Sequence, residues 1–208
     1  MTGLFSPLAL RGVTAPNRIM ISPMQQYMAG ADGLPNAFHV QHYGRQAIGG
    51  AGIVMTEALA VAPEGRVTWA DLGIWTDAQA EALKPIVAML GASGAVPATQ
   101  LIHAGRKGSV GRPWDGYNPL TSADAGRGMP PYETVAASAI PANPGWHTPR
   151  ALDAEGIARA IDAFAQGARR AAQAGFRFLE IHGAHGYLIH SFLSPLANRR
   201  DEAWGGDF

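Results

Sequence analysis

The sequence predicts an α/β fold on parallel strands and, within that class, a barrel of strand–helix units. Three observations carry this. Apolar strand-like runs alternate strictly with helical repeats, which calls for a parallel sheet. Polar residues stand at the C-terminal ends of four candidate strands, Gln25, Glu57, Gln100 and His182, and barrels build their sites on that rim. No Gly-x-Gly-x-x-Gly follows the first strand, which disfavours a doubly wound dinucleotide fold.

The first strand is Ile19 to Pro23, after a turn at Pro16-Asn17. A helix is expected from Phe38 to Ile48, with Val40, Tyr43 and Ala47 on its inner face and Gly49-Gly50 as its stop. Ile53 to Thr56 is a continuous apolar strand suited to burial on both faces. The second helix starts at Thr76, with Gln79 three residues on as a capping box. Its stripe is Ala80, Leu83, Val87 and Leu90; Pro85 should kink it and Gly91 end it. Val96 to Ile102 is the third strand, with Pro97 tolerated near its start.

An irregular stretch from His103 to about Arg150 follows, rich in glycine and proline, and is expected to cover a site. The third helix, Ala154 to Ala174, is the clearest. Asp153 caps it, and Leu152 with Ile157 forms a hydrophobic staple. Ile157, Ile161, Phe164, Ala168 and Ala171 form its stripe. Arg169 and Arg170 suit its C-terminal dipole, and Gly175 stops it. The fourth strand, Phe176 to His182, runs straight into Gly183-Ala184-His185-Gly186-Tyr187. Two histidines and a tyrosine on one turn are costly polarity for a strand end, and they mark it as functional.

The chain has 208 residues, 47% of them apolar, enough for a real core. Sixteen basic residues balance sixteen acidic ones, so no footprint for nucleic acid or an anionic membrane is present. Cysteine is absent, which excludes disulfides and thiolate metal sites. The opening Met1-Thr2-Gly3-Leu4-Phe5 lacks a basic segment followed by an apolar one, and no apolar run is long enough to span a bilayer. A soluble cytoplasmic protein is expected. His39, His42, His103, His147 and His190 read as histidines satisfying local partners, and Arg106-Lys107 as a loop-anchoring pair.

Several stretches resemble the old yellow enzyme family of FMN-dependent ene-reductases, most closely its bacterial, thermophilic-type subgroup. They are Ser22-Pro23-Met24 with Tyr27, Gly49-Gly50-Ala51-Gly52, Pro63-Glu64-Gly65-Arg66, Leu72-Gly73-Ile74-Trp75, Gln100 to Lys107, the His-x-x-His-Gly-Tyr turn, Ser194 to Arg200, and Gly205-Gly206. The resemblance runs from about Leu4 to Phe208. It implies a (β/α)8 TIM barrel, here truncated to roughly its first four strands and three helices, with 1–208 as the N-terminal half of one FMN-binding domain.

The resemblance further implies one FMN at the barrel mouth, NADPH or NADH as reductant, and an electron-poor alkene as substrate. Hydride passes to the β-carbon of an α,β-unsaturated carbonyl or nitro compound. His182 and His185 supply two donors to the substrate oxygen, where negative charge develops. Tyr187 is the proton donor to the α-carbon, and Tyr27 is a substrate-side hydroxyl. Ser22, Pro23, Met24 and Ala58 line the flavin, and Gln100 bonds its pyrimidine edge. Family members usually pair, so the full-length form is expected to be a homo-oligomer.

Two departures stand out. Gln25 occupies the place where the subgroup carries a cysteine near the flavin. An amide forms no thiolate, which predicts an altered reduction potential or substrate range. Second, a whole barrel needs about 250 residues, and the phosphate-binding loops that such barrels use after strands seven and eight are expected to be missing from these 208 residues. Half a barrel leaves open sheet edges, and the 208-residue chain alone is expected to hold flavin weakly or not at all. The alternatives are a non-catalytic half-barrel fragment, or a metal-assisted hydrolase using His182 and His185, with Glu180 as a further candidate ligand. Against the hydrolase, the histidines sit three apart on a glycine-rich turn rather than four apart on a helix, with no third ligand evident.

Overall fold

The computed structural model describes residues 3–206. Met1 and Thr2 of the opening segment, and Asp207 and Phe208 of the closing motif, lie outside the described residues. The elements run β1 (Leu8–Leu10), β2 (Val13–Ala15), β3 (Met20–Ile21), α1 (Ala37–Ile48), β4 (Ile53–Ala60) and α2 (Asp77–Ala92). Then come β5 (Val96–Ile102), α3 (Ser122–Ala125), β6 (Val135–Ala136), β7 (Arg150–Ala151), α4 (Ala154–Ala174), β8 (Phe178–Ile181) and α5 (Leu188–Leu193).

The main sheet is parallel throughout, in the order β3-β4-β5-β8. The order follows the chain because each crossover carries the strand to the next position. Helices α1, α2 and α4 pack on one face over Val54, Leu59 and Leu101. At the N-terminal ends of the strands, Ile53, Met55, Val96 and Ala98 pack with Ala15, Leu8 and Val13 of the β1–β2 hairpin. The hairpin was not expected. No described helix is long and apolar enough to cross a membrane.

The helix ends follow their capping residues. Thr76 Oγ1 accepts from Gln79 N at 3.3 Å, and Gln79 Oε1 accepts from Thr76 N at 2.9 Å. Helix α2 continues through Pro85 and past Gly91 to Ala92. Asp153 accepts from Gly156 N at 2.7 Å to open α4, and Gly175, at φ 103°, closes it in the left-handed conformation. Leu152 and Ile157 share one buried cluster, as a staple requires. Arg170 is spent on a different partner from the one expected. Its Nε donates to Asp77 Oδ1 at 2.7 Å, tying α4 to the first turn of α2.

Strand β8 is Phe178–Ile181, shorter at both ends than the expected Phe176 to His182. Two other strands also depart from expectation. Strand β3 has two residues rather than five, and β4 continues past Thr56 to Ala60. A bulge causes the second difference: Met55 pairs with Ala98 and Ala58 with Gln100, so Thr56 and Glu57 together face Thr99. An extra residue shifts the alternation. Before the bulge, Val54 faces the helices; after it, Glu57 and Leu59 do. Helix α1 accordingly turns His39, Tyr43, Gly44 and Ala47 inward, and Val40 is exposed rather than packed.

Candidate active site

The cavity over the C-terminal strand ends is about 400 Å³. Its lining includes Ser22, Pro23, Gln25, Tyr27, Ala58, Gln100, His182, His185 and Tyr187. Nine of the ten residues given a flavin or substrate role in the sequence therefore meet at one place, whereas Glu57, expected on the same rim, is not in the lining. The tenth, Met24, lies outside the lining and is 51% exposed. Met20, Ile102 and Glu180 complete the lining.

The floor is set by strand register. Ala58 pairs with Gln100, and Gln100 pairs with Glu180, so three side chains form one row across β4, β5 and β8. Gln100 Nε2 donates to Glu180 Oε1. The sequence offered Glu180 only to the metal-assisted alternative and not to this cavity, although Phe178, Glu180 and His182 alternate at period two, the signal for a shared face.

The two-histidine turn is braced from β5. His103 O accepts from Leu188 N at 3.0 Å. Gly105, at φ 58°, brings its backbone so close that a Cβ there would meet Leu188 N and Cα at 2.9 Å. Lys107 Nζ donates to His185 O at 2.9 Å and sits 5.3 Å from the Tyr187 ring centroid. Arg106 Nη1 donates to Ile140 O and Pro141 O. The loop-anchoring reading of this pair fits both contacts.

Within the turn, Ala184 N donates to His182 Nδ1 at 3.3 Å, and His182 Nε2 lies 3.2 Å from His185 Nδ1. With Nδ1 accepting, the network assigns the His182 proton to Nε2, which donates to His185. The free ring proton of the neutral pair is then on His185 Nε2. The sequence suggested two donors; this arrangement presents one and spends the other internally. Burial is the main cause that lowers His182 from the usual imidazole range, followed by the neighbouring His185. The Tyr187 ring stands edge-on to His182, with centroids 4.8 Å apart.

The irregular stretch contributes to the rim. Trp114 meets Tyr27 edge-on at 5.9 Å. Tyr117 joins the cluster that includes Tyr187 and Trp146. Neither was singled out, because nothing in a loop rich in glycine and proline fixes which aromatic turns inward. Burial pushes the Tyr27 phenol up to about 12, with Asp71 adding to the rise. Tyr187 is raised further, by burial first and then by Tyr117 and Tyr27. Both phenols therefore stay protonated at neutral pH.

Backbone strain gathers here. Tyr27 (φ 57°), Tyr117 (φ 54°) and His185 (φ 57°) all adopt the left-handed conformation without being glycine. One further oddity is Gln25: both of its amide atoms are buried and have no hydrogen-bond partner. Among the described residues, no group of three histidine, aspartate or glutamate side chains comes together as a metal site.

Residues 3–208 match the NADH:flavin oxidoreductase / NADH oxidase family. The chain is 44% identical over 206 residues to an NADPH dehydrogenase of Geobacillus sp. (strain WCH70), covering 99% of this chain and 55% of that protein. It superimposes on morphinone reductase in complex with tetrahydroNAD with a TM-score of 0.82 at 32% identity, covering 99% of this chain and 56% of that one. An old yellow enzyme homologue from Zymomonas mobilis gives a TM-score of 0.81 at 31% identity, covering 98% and 55%. The chain spans about half the length of the relatives it matches.

Proposed function

The chain belongs to the NADH:flavin oxidoreductase / NADH oxidase family, the old yellow enzyme group, with a fold that is about half of a (β/α)8 barrel; from that premise we propose that residues 1–208 are the N-terminal half of one FMN-binding domain that reduces electron-poor alkenes. FMN when bound relays hydride from NADPH or NADH to the β-carbon of an α,β-unsaturated carbonyl or nitro compound.

The cavity fits an amphipathic ring. Pro23, Ala58 and Ile102 offer apolar walls, and Gln100 and Glu180 offer polar contacts at the floor. Gln25 carries a donor and an acceptor that find no partner within the chain, as a residue awaiting a ligand does. Ser22 and Pro23 hold the ring on the β3 side. Met24 is left a peripheral role by its exposure.

On the opposite wall, His185 Nε2–H is free to donate to the substrate oxygen. His182 fixes the tautomer that makes it so. Such a donor stabilises charge that grows on that oxygen as hydride arrives. Tyr187 holds a proton beside the pair for the α-carbon. Tyr27 lines the same cavity and would supply a substrate-side hydroxyl.

The observation that carries this reading is the convergence of Gln25, Tyr27 and Gln100 with the His182–His185–Tyr187 turn on one cavity. The test is turnover by the FMN-loaded full-length protein that carries residues 1–208 as its N-terminal half. Oxidation of NADPH or NADH that depends on added 2-cyclohexenone or a nitroalkene supports it. Nicotinamide oxidation indifferent to every activated alkene overturns it.

A further inference from the structure

Behind the cavity wall lies a buried polar cluster outside the lining. Glu57, His39 and Tyr43 are each at most 1% exposed. The Tyr43 hydroxyl donates to Glu57 Oε1 at 3.0 Å and accepts from Glu57 N at 2.9 Å. His39 Nε2 lies 3.5 Å from Glu57 Oε1 and has no other partner. The remaining carboxylate oxygen, Oε2, accepts from Gln26 N at 3.3 Å. A buried carboxylate is costly unless its bonds serve it.

These contacts close into a ring around Tyr27. On one side, Gln26 N is tethered to Glu57. On the other, Met28 O accepts from Asn36 Nδ2 at 2.7 Å. Asn36 caps α1, and its own N–H donates to His39 Nδ1 at 3.0 Å. That bond leaves the ring proton of His39 on Nε2, facing Glu57. The residue between the two tethers is Tyr27, at φ 57°. A left-handed tyrosine persists only where its surroundings hold it.

We propose that Glu57 is a positioning residue for Tyr27, acting through the Gln26 amide and, around the ring, through His39 and Asn36. The β4 bulge is the device that makes this possible, because it turns Glu57 outward to α1 while the next residue, Ala58, faces the cavity. Glu57 is fully buried and lies outside the cavity lining. It holds the segment that carries Gln25 and Tyr27 against the wall. The inference rests on the reading of Tyr27 as a substrate-side hydroxyl only for its catalytic consequence; the positioning itself is independent of any reaction.

The test uses protein labelled with 3-fluorotyrosine, the Tyr27 resonance being assigned by its loss in Tyr27→Phe. In Glu57→Leu the Tyr27 fluorine signal should shift or broaden while the Tyr132 signal stays in place. Glu57→Gln, which keeps an oxygen for Gln26 N, should restore most of the native signal. Asn36→Ala cuts the second tether from an exposed position without stranding a buried charge, and it covers the case in which Glu57→Leu does not fold. It too should move the Tyr27 signal. In turnover, Glu57→Leu should lower kcat/KM for the alkene by on the order of tenfold, and should add almost nothing in a Tyr27→Phe background. An unmoved Tyr27 resonance in Asn36→Ala, or equal losses in both backgrounds, overturns the proposal. A moved resonance in a protein inert toward alkenes would instead count against the functional reading alone.

Discussion

His182 and His185 hydrogen-bond each other, ring to ring, at 3.2 Å. The two imidazoles are therefore unequal. His185 carries the free donor; His182 is its orienting partner. Replacing His185 by Ala should cost alkene kcat/KM on the order of a hundredfold, as loss of an oxyanion-type donor does. Replacing His182 by Gln should cost less, because the amide can still donate to His185 Nδ1. Steady-state kinetics of the two variants check the ranking, and equal losses would mean that both rings reach the substrate.

Gln25 gives a prediction with two signs. Its amide is buried and unpartnered, a state that costs about 1 kcal/mol or more. Gln25→Leu should raise the melting temperature of the flavin-free protein and weaken its hold on FMN. Gln25→Cys places an ionisable thiol at the same spot and should change the flavin reduction potential. Calorimetry, flavin titration and spectroelectrochemistry read these effects separately. An unchanged potential in Gln25→Cys would show that this side chain does not reach the flavin.

Stability should depend on pH through two buried groups of opposite sign. Burial pushes Asp71 from 3.8 up to about 6. Between about pH 4 and 6 the folded protein keeps a proton that the unfolded chain has released, so Asp71 makes stability fall as pH rises. Burial pushes His103 from 6.5 down to about 4. Over that range the unfolded chain takes up a proton that the folded ring refuses, so His103 makes stability rise with pH. His42 and His182, lowered mainly by burial, lean the same way as His103. Asp71→Asn should steepen the rise in stability from pH 4 to 6.5, and His103→Gln should flatten it. Urea unfolding across this range checks both slopes.

Lys107 ties the segment after β5 to the two-histidine turn through the carbonyl of His185, a residue with a left-handed backbone. Lys107→Met keeps the aliphatic stem and loses the bond. Alkene turnover should drop several-fold while the melting temperature changes little, because the bond is exposed and a single such contact is worth about 1 kcal/mol. A large stability loss with intact turnover would make Lys107 purely structural.

Much of the scaffold was legible because local chemistry announced it. Thr76 with Gln79, and Asp153 with Gly175, mark helix ends that do not depend on the rest of the fold. The site residues were legible because the motif quoted them together; periodicity alone would have added Glu180. Long-range effects stayed hidden. The β4 bulge depends on pairing with Thr99 and converts Glu57 from a strand-end residue into a buried one facing α1. His39 read as an ordinary histidine and Val40 as core because nothing local shows a carboxylate waiting inside. The three-residue strands of the β1–β2 hairpin are too short for a pattern, and they are fixed by packing under Ile53 and Val96.

The decisive step is hydride transfer to an alkene held by the His182–His185–Tyr187 turn. Stopped-flow reoxidation of the dithionite-reduced, FMN-loaded full-length protein by 2-cyclohexenone under anaerobic conditions measures that step alone. The flavin absorbance should return rapidly, and a His182→Ala/His185→Ala variant with FMN still bound should be slower by on the order of a hundredfold. Reduced flavin that ignores the enone, or a double variant that reoxidises at the native rate, would contradict it.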